Sequence, residues 1–244
     1  MLIPMLFLHF HGSLAYYLLA NGTLCGPRCL ALGDLMGVPY FGKLIVIPNG
    51  TEVLYLNYSL DIIRRIEIGS FYPYAFPWKR GLILCSSECL YWRNGKVLWK
   101  VNVGWTRAAA LDKYLVVIGT VTYKVLDPRS GKVLLEGVLY NQMRTAASCG
   151  PYVAVGGFYK TAIIDVESGK VRVLNFAAKR YLGFDEGCKA LAAVNRNVIK
   201  VFDVEGKLLF STRVKWEAVT GTWKGEELVV ADLRGGLHYL FKLK

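Results

Sequence analysis

Six segments of this sequence, YYLLANGTLCG, YLNYSLDIIRRI, LYWRNGKVLWKV, YKVLDPRSGKVLLE, IIDVESGKVRVL and VFDVEGKLLFST, align on a short turn and recur along the chain. Their turn positions, Gly22, Leu60, Gly95, Gly131, Gly169 and Gly206, are separated by 38, 35, 36, 38 and 37 residues. This period constrains the fold more than any other feature. A chain that repeats at such a spacing builds one supersecondary unit per repeat and buries its core by stacking the units.

Residues 105–140 are the clearest copy and read as four short strands. Residues 105–111 (WTRAAAL) are rich in small side chains, 114–119 (YLVVIG) are apolar throughout, and 121–126 (VTYKVL) and 132–139 (KVLLEGVL) alternate. Asp127-Pro128-Arg129-Ser130-Gly131 is a tight turn by composition. No copy holds an amphipathic stretch of helical period, which excludes a helical solenoid. Four antiparallel strands repeated at this period predict a β-propeller, whose innermost strands take small residues where the blades taper. Residues 217–244 have room for three strands and lack the fourth, and residues 1–32 have room for three clear strands and a very short first one. The expectation is an all-β chain forming one propeller domain over residues 1–244, with about seven four-stranded blades. Six blades with an N-terminal closing strand, residues 3–10 running antiparallel to 237–244, is the alternative.

Asn94-Gly95-Lys96-Val97-Leu98-Trp99-Lys100 resembles the end of a PQQ-type propeller repeat. Asp127, Asp165 and Asp203, each before its turn, resemble the strand-end Asp shared by PQQ-type and WD40-type repeats. The resemblance covers most of the chain. It implies the propeller fold and a platform for protein partners, and it carries no activity. Quinone-dependent dehydrogenases of that fold are much longer and set acidic metal ligands and a stacking Trp over the central channel. Nothing here matches them residue by residue, so no cofactor is implied and a redox enzyme is disfavoured.

Composition agrees with a packed, non-catalytic chain. At 54% hydrophobic and 20% charged residues it can bury a sizeable core, and 3 His with 18 acidic residues leave little material for acid/base or metal chemistry. No nucleophile motif, zinc-protease motif or paired-carboxylate constellation is present. The first 20 residues carry no charge but hold His9, His11, Gly12 and Ser13 in their centre, and the first cation is Arg28. A signal peptide begins with a basic region, so these residues read as strands of the fold, with no membrane span and a cytoplasmic location. Gln142 is the only glutamine. Depletion of thermolabile amides is a mark of hyperthermophiles, the organisms in which intracellular disulfides are common. Cys25/Cys29 and Cys85/Cys89 share a C-x3-C spacing that fits neither a zinc knuckle nor a redox motif. Cys85 and Cys89 flank a hairpin turn and could bridge it as a disulfide; buried free thiols fit equally.

The net charge of +12 is unevenly placed: residues 1–62 hold two cations against three anions, leaving −1 there and +13 beyond. Connections from each fourth strand to the next first strand emerge at one end of a propeller. Read in order, they carry Tyr72 and Tyr74, then Trp105 and Arg107, then Arg144, then Lys179, Arg180 and Tyr181, then Lys215 and Trp216. Interleaved cations and aromatic rings suit a protein interface, and also the stacking and phosphate contacts of nucleic-acid binding. The turns at the other end, with Arg93, Lys96, Arg129, Lys132, Lys170 and Lys207, read as solvated positions. The leading expectation is therefore a non-enzymatic scaffold for a protein partner, with nucleic acid or another polyanion as the alternative. One metal hypothesis uses all three histidines. His9 and His11 share a face of one strand, and His238 falls in the corresponding loop region of the last copy, so a closed ring would bring them together around a divalent ion.

Overall fold

The computed structural model describes residues 5–33, 36–139 and 142–243. These residues form 27 strands in seven sheets with no helix, and the chain is an all-β, seven-bladed propeller. Among the described residues no helix is long and apolar enough to cross a membrane. Contacts within the chain gather in two compact units, Met1–Trp105 and Thr106–Lys244.

Unit 1 holds three blades. Blade 1 is β1 (Met5–His11), β2 (Leu14–Leu19), β3 (Thr23–Cys25) and β4 (Cys29–Ala31). Blade 2 is β5 (Tyr40–Phe41), β6 (Ile45–Asn49), β7 (Glu52–Leu56) and β8 (Ile62–Glu67). Blade 3 is β9 (Tyr74–Trp78), β10 (Gly81–Cys85), β11 (Glu88–Arg93) and β12 (Lys96–Asn102). In each sheet consecutive strands are hydrogen-bonded neighbours. Strand alternation explains the packing between these blades. Ile45 and Ile47 face Leu18 and Leu24 of blade 1, whereas Val46, between them, faces Leu82 and Leu84 of blade 3. A second strand covered on both sides must be apolar at every position, and each such side chain contributes about 1.5–3 kcal/mol through burial.

Unit 2 holds four blades. Blade 4 is β13 (Ala108–Leu111), β14 (Leu115–Ile118), β15 (Thr122–Leu126) and β16 (Val133–Val138). Blade 5 is β17 (Met143–Cys149), β18 (Tyr152–Gly157), β19 (Thr161–Asp165) and β20 (Val171–Leu174). Blade 6 is β21 (Tyr181–Phe184), β22 (Ala190–Asn195), β23 (Val198–Asp203) and β24 (Leu208–Arg213). The last sheet has three strands, β25 (Ala218–Lys224), β26 (Glu227–Asp232) and β27 (Leu237–Lys242). The same alternation runs through the unit: Val116 and Ile118 pack on Val153 and Val155, and Ala154 turns the other way onto Leu191 and Ala193. Outer strands have one covered side, so β16 and β24 alternate between exposed and half-buried positions over most of their length.

The turns between third and fourth strands need a left-handed residue, supplied by Gly131 at φ 72° and Gly206 at φ 86°. The Asp before each turn is a fold residue. Asp203 C=O accepts the Gly206 N–H at 3.0 Å, and its Oδ1 accepts the Lys207 N–H at 2.8 Å. The ladder beside these turns slips by one residue at Tyr55/Leu56, Tyr91/Trp92, Val125/Leu126 and Val201/Phe202. A bulge at a repeated place adds the same local twist to each blade.

Three expectations about the N-terminal copy are corrected. Gly22 lies between β2 and β3, one hairpin earlier than the turns it aligns with; the third turn of blade 1 is Gly26-Pro27-Arg28. The first strand is long and the last two are short, because Gly22 and Pro27 bring two turns close together. The six-blade alternative fails because β1 pairs with β2 inside a complete four-stranded sheet. In the copy at residues 105–140 the first strand starts at Ala108, with Trp105, Thr106 and Arg107 belonging to the connection before it.

Candidate functional site

In a four-stranded antiparallel blade, the turn between second and third strands lies at the same end as the connection leaving the fourth. Unit 2 ties these two sets together through its backbone. N–H groups of Met143, Phe158, Arg180, Val214 and Leu233 donate to the carbonyls of Thr120, Gln142, Val194, Asn197 and Glu217 at 2.8, 3.2, 3.1, 2.9 and 3.0 Å. The links run from blade 4 to blade 7 and hold the side chains of this end on a fixed ledge.

Charge in unit 2 is segregated between its two ends. The linked end carries Arg107, Arg144, Lys160, Lys179, Arg180, Arg196, Lys215 and Arg234 against Glu217 and Asp232. Turns at the opposite end carry Asp112, Asp127, Glu167, Asp185, Glu186, Glu205 and Glu226, which offset the cations beside them. Lys113 pairs with Glu167, while Lys170 and Arg172 hold Glu205 at 3.3 and 2.6 Å. At the basic end Arg180 pairs with Glu217 at 2.7 Å, while no ion pair joins Arg144, Lys160, Lys179, Arg196, Lys215 or Arg234 to an acid among the described residues. Like charges fixed side by side without counter-ions raise the local potential and draw in an acidic partner.

Aromatic rings are set between these cations. Arg144 Cζ lies 5.1 Å and Lys179 Nζ 4.2 Å from the ring centroid of Phe158, contacts of about 0.5–1 kcal/mol each at an exposed site. Tyr159 beside it is 73% exposed by residue area. Trp216 stacks on His238 with centroids 3.9 Å apart and planes 16° from parallel, and Nε2 of His238 bonds Oδ2 of Asp232 at 2.8 Å. Burial alone would raise the Asp232 pKa. The bond to His238 and the amides of Gly236 and Arg234 hold it below the usual carboxylate value. Gly236 is required there, because a Cβ would meet Oδ2 of Asp232 at 2.6 Å.

The residues expected from sequence fall into two groups. Arg107, Arg144, Lys179, Arg180, Lys215 and Trp216 share the basic end, with Arg107 Nε donating to Thr120 Oγ1 at 3.1 Å. Tyr181 is instead a packing group in β21: a Cβ at Gly183 would meet its hydroxyl at 2.0 Å and one at Gly221 its ring at 3.0 Å. Burial raises its pKa. In unit 1, Tyr74 is 9% exposed and burial pushes its hydroxyl to about 12. Tyr72 is half-buried, its pKa raised by burial and then by Glu88, the acid that pairs with Lys100 at 2.6 Å. Trp105 is 77% exposed. Phe158, Tyr159, Lys160, Arg196 and Arg234 are members that sequence reasoning missed. They sit in second-to-third turns, and counting strand direction through each blade places them at this end.

Among the described residues no three His, Cys, Asp or Glu side chains gather to hold a metal, so the three-histidine hypothesis finds no assembled site. Each imidazole is stacked on a ring instead: His9 on Phe41 at 4.4 Å, His11 on Tyr58 at 3.5 Å, and His238 on Trp216. Cys85 and Cys89 are joined as a disulfide, as are Cys25 with Cys29 and Cys149 with Cys188. Unit 1 also contains an apolar cavity of about 400 Å³ lined by Leu6, Phe7, Leu18, Met36, Val38 and Pro39 among others, with no charged side chain among its described lining residues.

Neither a protein-family model nor a curated protein matches the sequence. Solved structures do match the fold. The Pan2 WD40 domain of Neurospora crassa superposes with a TM-score of 0.76 at 11% identity, over 96% of this chain and 88% of that one. The WD40 propeller domain of Doa1 gives 0.69 at 11% identity, over 96% and 92% of the two chains. BamB from Moraxella catarrhalis gives 0.64 at 12% identity, over 93% and 81%. At these identities the likeness is one of fold.

Proposed function

We propose that this chain is a non-enzymatic propeller platform, and that the basic end of unit 2 docks a protein partner bearing acidic side chains. The segregation of charge carries the reading: acids gather at one end, where Lys113, Lys170 and Arg172 are paired, whereas Arg144, Lys179, Arg196 and Lys215 stand at the other without an ion pair among the described residues. Rigid scaffolds present binding residues on their loops, and Phe158, Tyr159 and Trp216 add the aromatic contact area common at the centre of protein interfaces. The WD40-type fold of the structural neighbours fits an interaction scaffold. Nucleic acid is the second reading, favoured by the same interleaving of rings and cations. Protein is preferred because Phe158 already carries two cations and His238 covers one face of Trp216, which reduces the ring area open to successive bases.

Fluorescence anisotropy with a labelled hexaglutamate peptide at about 50 mM salt tests the reading, since surface charge is weakly screened there. Replacing Arg144, Lys179 and Lys215 together by Ala should weaken binding at least tenfold, about 1.4 kcal/mol. Replacing Lys113, Lys132 and Lys170 together should change it by about twofold or less, because acids of the opposite end offset its cations and surface charges there contribute little. Equal losses from both ends would mean diffuse attraction and no site. Tighter binding of a thymidine oligonucleotide, lost steeply as salt rises, would transfer the site to nucleic acid.

A further inference from the structure

One turn at the basic end departs from the pattern of its counterpart. In blade 2 the second-to-third turn reads Asn49-Gly50, with Gly50 at φ 60°; in blade 6 it reads Asn195-Arg196, with Arg196 at φ 46°. Left-handed backbone is nearly free for Gly and costly for a residue with a Cβ, so an arginine held there is strained where the related blade relaxes. Backbone strain of this kind is retained where a side chain is needed.

The surroundings say what Arg196 is needed for. Arg196, Asn197, Lys215, Trp216 and Glu217 line a shallow cavity of about 320 Å³. Its two halves are fixed to each other, Val214 N–H donating to Asn197 C=O at 2.9 Å and Ala218 N–H to Arg196 C=O at 2.7 Å. Trp216 is immobilised by the stacked His238, itself held by Asp232. Glu217 is neutralised by Arg180 at 2.7 Å. Arg196 and Lys215 have no ion-pair partner among the described residues, so the cavity's uncompensated charge is positive.

We propose that this cavity is the carboxylate subsite of the docking face, an assignment that rests on the platform reading above. A Glu or Asp side chain of the partner protein places its carboxylate on the Arg196 guanidinium, whose planar fork binds it through two parallel hydrogen bonds. Lys215 supplies the second charge, and the Trp216 indole packs the aliphatic stem of the incoming side chain.

The labelled hexaglutamate peptide, with hexaglutamine as control, tests the subsite in the full chain. Arg196→Gly should weaken hexaglutamate binding at least tenfold while leaving the melting temperature unchanged or higher, since glycine relieves the turn; loss of binding then cannot be blamed on unfolding. Arg196→Lys should recover less than half of the lost affinity, because it restores charge without the fork. Arg234→Ala, at the same end but outside the cavity, should cost about twofold or less. Wild-type affinity in Arg196→Gly overturns the subsite and leaves the platform standing if the Arg144, Lys179 and Lys215 triple variant still loses binding. Absence of hexaglutamate binding by the wild-type chain overturns both. Equal binding of hexaglutamine, or displacement of the peptide by inorganic phosphate at lower concentration than by glutarate, overturns the carboxylate assignment.

Discussion

His9 shows how much one side chain in a strand can set. Burial first, and the neighbouring His11 second, lower its pKa from 6.5 to about 4. The unfolded chain therefore takes up a proton between about pH 6.5 and 4 that the folded chain refuses, so stability falls as pH falls through that window. The loss should reach roughly 2–3 kcal/mol. His9→Phe, which keeps a ring against Phe41, should remove this slope, and denaturant unfolding of both proteins at pH 7 and 4.5 measures it. Equal losses in variant and wild type would show that other groups set the pH response. His238 illustrates a different limit. Its partner Asp232 lies six positions earlier and its stacking partner Trp216 further back, so both are invisible to a search for acids flanking a histidine. Hairpin geometry brings them together, and a local reading of the sequence has no access to it.

Disulfides connect elements in two ways. Cys25–Cys29 and Cys85–Cys89 join residues already opposed in register within one hairpin, whereas Cys149–Cys188 ties the end of β17 in blade 5 to the turn after β21 in blade 6. Loop-closure entropy makes the longer closure worth more: a separation of 39 residues gives about 4 kcal/mol, against about 2 for a separation of 4. Replacing Cys149 and Cys188 by Ala should thus lower unfolding free energy about twice as much as replacing Cys85 and Cys89, as read from guanidinium titrations. A larger cost for the hairpin pair would mean that strain and packing outweigh entropy. Much of the element pattern was legible beforehand, since apolar second strands and glycine turns recur at nearly constant spacing. Blade 1 was misaligned by one hairpin because Gly22 matches the turn signal while sitting at a different turn. Period alone does not say which of two nearby turns is the repeat's third. The Cys149–Cys188 bridge was also out of reach, as its partners become neighbours only when adjacent blades pack.

At the scale of the molecule, the excess of charge beyond residue 62 was readable, as was the presence of cations in the connections between blades. Its polarity was not, because that depends on which turns share an end with those connections and on which acids meet which cations. Glu205 is shared by Lys170 and Arg172 at one end of unit 2, while Arg196 and Lys215 stand without an ion pair among the described residues at the other. Tyr74 and Tyr181 looked like rim groups and are packing groups, since an innermost strand turns some of its large rings onto glycines and neighbouring strands. The account stands on the claim that one end of unit 2 is a binding surface and the other is not. Hydrogen–deuterium exchange with and without saturating hexaglutamate tests this most directly, because it reports where along the chain the ligand slows opening. Protection confined to the turns at residues 158–160 and 196–197 and the connection at 214–217 is the predicted result. Protection at the turns 127–132, 166–170 and 204–207, or spread evenly over both ends, would contradict it.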